Sequence, residues 1–178
     1  TGRRINNGLI RLNHSVLELS DRDIISYSRK INDISGSKNL NKKFIDIVET
    51  YRPDLIIFGH ADLINVESLR LIRENYPDIK MCQWFLDRMD SEWKVYLKRF
   101  KDKINYIDSS FCTTDPKELN IKNLSRVRFM PNPVDPSLDR FDNSQNKILK
   151  NDIFFAMSHG VHRGVLKKGK TDKREMVI

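Results

Sequence analysis

Cysteine is scarce: Cys82 and Cys112 are the only two among 178 residues. Two thiols cannot build a secreted disulfide framework, nor by themselves a four-ligand structural zinc site. Glycine is scarce too, with seven residues and no three-residue repeat, which excludes a collagen-like chain. Long hydrophobic runs are missing. The longest, Ile153 to Met157, has five residues, whereas a membrane helix needs about 20. No charged-then-apolar leader pattern opens the sequence. Sustained heptads, internal repeats and low-complexity tracts are also lacking. What remains is a globular protein without a transmembrane segment, expected in the reducing cytoplasm.

What is present supports a core. Hydrophobic residues make up 39% of the chain and charged residues 31%, which excludes wholesale disorder. Lys and Arg number 32 against 24 Asp and Glu, a formal charge of +8. Residues 159–178 hold six of the basic side chains and two of the acidic ones, so this tail carries +4, half the excess. Nucleic-acid binding calls for aromatics interleaved with the basic residues. The tail has no aromatic residue, so no nucleic-acid partner is expected. A solvated terminus and a local phosphate site are the two readings left.

Hydrophobic period alternates between helix and strand along the chain. Ile5, Leu9 and Leu12 make a helical stripe, closed by Asn13, a residue that tolerates a left-handed stop. Residues 15–19 read as a short strand, and 24–40 are weakly patterned. Phe44, Ile47, Val48 and Tyr51 mark a helix ended by Pro53. Strands are expected at 54–58, 79–85, 106–113, 127–130 and 153–157. Asn65 caps a helix carrying Leu69, Ile72 and Tyr76. Asp90 or Ser91 caps another, with Trp93, Tyr96, Leu97, Phe100 and Ile104 on one face. Asp115-Pro116-Lys117-Glu118 is a further helix start. Pro131, Pro133 and Pro136 stiffen the connection that follows.

Helices alternating with nearly all-apolar strands indicate βαβ units and a mostly parallel sheet covered on both faces. The fold class expected is therefore α/β and Rossmann-like. Residues 1–140 are expected to form one domain, 141–152 a linker, and 153–178 the start of a second domain. The chain opens in a helix with no strand before it and stops just after a new strand and loop, so a fragment lacking its first strand is expected.

Ligands of such sheets bind beyond the carboxyl ends of the strands. His60 and Asp62 follow one strand, Asp87 the next, and Thr114 and Asp115 the third. His60 can serve as general base or as donor to a sugar hydroxyl, or be an ordinary loop histidine. Asp87 can bind hydroxyls or act as a base, or pair with Arg88. Trp84 offers an apolar face to a ring, or packs in the core. Asp115 reads as a cap. In the loop 158–164, Gly160 lets the backbone approach a diphosphate, while Arg163 and Lys168 supply charge. His159 and His162 have no third ligand nearby, so no metal is expected. The two cysteines fall within strands and read as small buried hydrophobes.

The order of motifs resembles glycosyltransferases of the two-domain GT-B fold, in particular family 4 and the spore-maturation-protein-like branch. Leu12-Asn13-His14-Ser15-Val16-Leu17 is similar to the family's approach to its second strand, with Asn13 where glycine is usual. Arg52 to His60 resembles the segment that ends in a family histidine. Trp84-Phe85-Leu86-Asp87 resembles a W-x-x-D segment. Met130 to Asp135 resembles the exit from the acceptor domain, with Pro133 in place of glycine. Ile153 to Arg163 resembles the opening of the nucleotide-sugar domain. The resemblance implies sugar transfer from a nucleotide-diphosphate donor, without a metal or other cofactor. His60 and Asp87 would be catalytic, Trp84 and Asp62 would hold the acceptor, and Gly160, Arg163 and Lys168 the donor diphosphate. The acceptor stays open as a glycan, lipid or protein, and so does peripheral contact with a membrane. Alone, a chain that is mainly the acceptor-side domain is expected to be inactive. Two other readings stand beside this one. The first is a fragment of an NAD(P)-dependent enzyme, with Glu18 or Asp21 on the ribose. The second is a non-catalytic α/β binding module.

Overall fold

The computed structural model describes residues 2–29, 33–87, 89, 94–121, 124–140 and 148. The chain divides after Asp139 into two compact units, and the first of them, Thr1–Asp139, holds every described helix and strand. The expected linker 141–152 apart from exposed Ile148, strand 153–157, loop 158–164 and the caps Asp90 and Ser91 lie outside the described residues.

The first unit is α/β. In order it contains α1 (Gly2–Arg11), α2 (Asp21–Ser28), α3 (Ser37–Tyr51), β1 (Leu55–Gly59), α4 (Val66–Asn75), β2 (Lys80–Phe85), α5 (Lys94–Ile104), β3 (Ser109–Cys112) and β4 (Val127–Phe129). Among the described residues the four strands form one sheet in the order β1-β2-β3-β4, every pair parallel.

Local chemistry explains most boundaries. Asn13 stops α1 at φ 64, as an asparagine can. Ser20 caps α2 by accepting from the Asp23 N–H, with Asp21 and Asp23 in the first turn. This helix and the start of α3 occupy the weakly patterned stretch. Gly36 precedes α3 at φ 69, where an added Cβ would meet Ile25 backbone atoms at 3.1 Å; only glycine fits. Arg52 closes α3 in the left-handed region, its N–H donating to the Val48 carbonyl, and Pro53 follows. Asn65 caps α4 by accepting from the Ser68 N–H at 2.8 Å.

Three expectations change. Residues 14–20 form neither helix nor strand. Apolar Val16, Leu17 and Leu19 look strand-like, but a strand needs a ladder, and residues 15–19 pair with no strand among the described residues. Instead Ser15 Oγ lies 2.9 Å from Tyr51 Oη, and Glu18 accepts from Asn6 Nδ2. The helix opened by Asp115 is a single 3₁₀ turn, Pro116–Leu119, stopped by Asn120 at φ 47. The strand expected over 106–113 shrinks to Ser109–Cys112.

One face of the sheet carries the core. Ile56, Phe58 and Met81 pack with Leu40, Phe44 and Val48 of α3 and with Leu69 and Ile72 of α4. Phe85, Cys112 and Val127 pack with Phe100 and Leu97 of α5. These strand residues share a face by register and alternation. On the opposite face Trp84 is buried, Ile57, Cys82 and Phe111 are half-buried, and Leu55 is exposed.

α1 is held differently. It buries no side chain fully. Arg4 pairs with Asp139, while Asn7 Nδ2 donates to Asp135 at 2.8 Å and Arg11 approaches Asp135 at 3.0 Å. Asp135 is fully buried and also accepts from the Ser137 N–H and Oγ. Burial alone would raise its pKa; the hydrogen bonds from Asn7 and Ser137 and the Arg11 charge outweigh that and bring it to about 2.

Candidate functional site

The carboxyl ends of β1 and β2 border a shallow cleft open to solvent, whose enclosed part has room for little more than a water molecule. His60, Asp62, Trp84, Phe85, Arg99 and Lys103 are among its lining.

His60 follows β1 directly. Its φ is 59, unusual for a residue with a Cβ. The Ala61 N–H donates to the Gly59 carbonyl at 2.6 Å, closing a tight turn around it. The His60 N–H donates to the Trp84 carbonyl on β2 at 3.4 Å. The imidazole lies on the Phe85 ring, centroids 4.8 Å apart, and its Nε2 stands 3.6 Å from Asp87 Oδ2. Both side chains keep solvent access, 33% and 44%.

The segment after β2 that carries Asp87 is pinned by the residues after β3. Thr113 Oγ1 donates to the Leu86 carbonyl at 2.8 Å, and the Met89 N–H donates to Thr114 Oγ1 at 3.2 Å. Thr114 thus supports the site from behind. Asp115 is the cap its position implies, accepting from the Lys117 N–H at 3.0 Å.

The loop from His60 to α4 is fixed by Asn41, a buried side chain on α3. Its Nδ2 donates to the Leu63 carbonyl, and its Oδ1 accepts from the Asn65 N–H and from Ser68 Oγ. Asp62 on this loop is engaged by Arg99 of α5 at 2.8 Å. Lys103, one turn further along α5, is 8% exposed, and its ammonium donates to the Ala61 carbonyl. Burial pushes the Lys103 pKa below the ordinary lysine range, against the opposing charges of Asp62 and Asp21.

Four of the expected site residues therefore meet: His60 and Asp87 as a pair, with Asp62 and Trp84 in the same pocket as His60. Trp84 is 3% exposed, and its indole Nε1 is buried without a hydrogen-bond partner among the described residues. Gly160, Arg163 and Lys168 lie outside the described residues. Arg99 and Lys103 do not stand out in the sequence as site residues. Lys103 does carry a signal, since it falls three residues after Phe100 on the buried stripe of α5. Cys82 and Cys112 are unreactive by environment: burial lifts both thiols to about 11. Among the described residues, no three of His, Cys, Asp and Glu come together as metal ligands would, and no helix is long and apolar enough to cross a membrane. Comparison with protein families, curated proteins and solved structures finds no match.

Proposed function

We propose that this chain is the acceptor-side part of a glycosyltransferase that uses a nucleotide-diphosphate sugar. The observation that carries the reading is the His60–Asp87 pair. It stands at 3.6 Å beyond the carboxyl ends of two adjacent parallel strands, the place where α/β sheets bind ligands.

In this reading an acceptor hydroxyl sits against His60. Nε2 takes its proton as the oxygen bonds to the anomeric carbon, and the bond from that carbon to the diphosphate oxygen breaks. Asp87 offsets the positive charge that grows on the imidazole. Phe85 backs the imidazole, the two rings tilted 34° to each other. The resemblance assigns the departing diphosphate to Gly160, Arg163 and Lys168, residues outside the described ones, and basic groups of that kind neutralise its charge without a metal. Asp62, already paired with Arg99, offers acceptor hydroxyls a fixed carboxylate edge, and Trp84 borders the same pocket. A reducing, cytoplasmic setting suits the two unpaired cysteines.

The resemblance loses support at one point, since the segment it takes into a second strand forms none. The nicotinamide reading loses more. It needs Glu18 or Asp21 at the end of that strand, but Glu18 bonds Asn6 and Asp21 opens α2.

Titration calorimetry of the intact protein and of this 178-residue chain, with a panel of UDP- and GDP-sugars, tests the proposal. Binding by the intact protein and not by this chain is expected. An intact protein that binds no nucleotide sugar, or that binds a nicotinamide cofactor, overturns it.

A further inference from the structure

His60 pays for its position in backbone strain. A side chain at positive φ is held there only where its surroundings over-determine it. On one side the holder is β2, through the 3.4 Å bond from the His60 N–H to Trp84, which is long for a hydrogen bond. On the other side is Lys103. Its ammonium is almost out of solvent and ends on the Ala61 carbonyl, in the residue whose N–H closes the turn. A buried ammonium whose hydrogen bond goes to a neutral carbonyl is a costly arrangement even with the Asp62 and Asp21 charges partly offsetting its burial, and a core helix could place leucine there instead. The bond it makes is charge-assisted, among the stronger hydrogen bonds.

We propose that Lys103 is a positioning residue for His60: by gripping the Ala61 carbonyl it holds the left-handed turn that keeps the imidazole beside Asp87. This rests on reading His60 and Asp87 as the working pair. Lys103 does not touch the reacting atoms. It acts from α5, 42 positions away in sequence from Ala61.

The test uses the full 178-residue chain and two readouts that need no sugar transfer. The first is amide exchange at Ala61, with the Tyr76 amide, bonded to the Ile72 carbonyl, as the internal reference for folding. Lys103→Met is expected to speed Ala61 exchange at least about tenfold, the loss of one charge-assisted bond, while Tyr76 holds. The second is coupling between His60 and Asp87. The rate at which diethyl pyrocarbonate modifies His60 is read by peptide mass spectrometry against exposed His14. Asp87→Asn should change this rate at least about twofold in the native background and leave it unchanged in Lys103→Met. Lys103→Arg, which keeps charge and donor, should restore both behaviours. Should methionine not fold there, Lys103→Gln, polar but too short to reach the carbonyl, is expected to show the same two losses.

Unchanged Ala61 exchange in a folded variant overturns the proposal. So does coupling that survives the loss of Lys103, or its absence in the native chain. If both readouts respond while the intact protein binds no nucleotide sugar, the transferase reading fails and the role of Lys103 stands.

Discussion

At the amino end of β2 and β3, Arg73 donates to the carbonyls of Ile79 and Tyr106 at 3.2 and 2.9 Å and to Asp108 at 2.7 Å. Asp108 in turn accepts the Met81 N–H at 2.8 Å. Each charge meets several partners there, and none of the backbone involved takes a positive φ. At the carboxyl end of β1 and β2, a histidine sits at positive φ, a lysine is buried on one carbonyl, and a tryptophan N–H is buried unpaired among the described residues. The cluster around Arg73 is fastened by charges with several partners each, whereas the cluster around His60 combines a strained turn with desolvated polar groups. Strain and imperfect pairing cost stability, so a fold tolerates them where they serve binding or chemistry.

The difference can be broken from either end. The largest effect expected is on the proposed function: if the intact protein is the sugar transferase proposed above, His60→Ala should slow that transfer about a hundredfold or more, the usual worth of a positioned general base. Unchanged turnover in a steady-state assay removes His60 from the site. Next, Asp108→Ala should lower stability by about 1 to 2 kcal/mol, since it strips a charge-assisted partner from Arg73 and an acceptor from Met81. Urea denaturation measures this. A smaller difference is expected between His60→Gly and His60→Ala, which both lose the ring's contact with Phe85: glycine relieves the left-handed strain and should be the more stable by up to about 1 kcal/mol in urea denaturation. A glycine variant no more stable than the alanine variant means the turn is not strained.

The subtlest effect is in pH. Burial works to raise the Asp108 pKa, but the Met81 N–H and Arg73 outweigh it and hold the carboxylate below its ordinary 3.8. The unfolded chain therefore takes up the proton first as acid is added. The stability due to Asp108 is complete above about pH 4 and is lost as pH falls through the lower folded value. The stability gap between the native chain and Asp108→Ala should narrow below about pH 4, and denaturation curves at a series of acidic pH values check this.

Much of the sheet was legible because parallel strands are short, continuous apolar runs. Leu55 to Phe58 and Met81 to Phe85 announce themselves, and Asn65 and Pro53 punctuate the helices between them. The placing of His60 and Asp87 followed from the rule that loops after strands gather at one edge. Residues 15–19 misled because a strand is defined by its neighbour, and alternation in one segment says nothing of whether a partner lies alongside. The His60 turn was hidden for a related reason. Histidine, like asparagine, is enriched at positive φ, but a histidine after a strand does not by itself announce one, and the lysine proposed to brace the turn lies 42 positions beyond Ala61.

The clasp on α1 has a consequence for the order of assembly. A ten-residue helix that buries no side chain fully cannot stand alone in water. Its anchors, Asp135 and Asp139, lie 128 and 135 positions downstream of Asn7 and Arg4. A ribosome therefore releases α1 long before it makes the carboxylates that hold it. The sheet and α3 to α5 can condense through nearer contacts in the meantime, while closing so long a loop comes late. A stretch synthesised well before its anchors is among the last parts of this unit to settle.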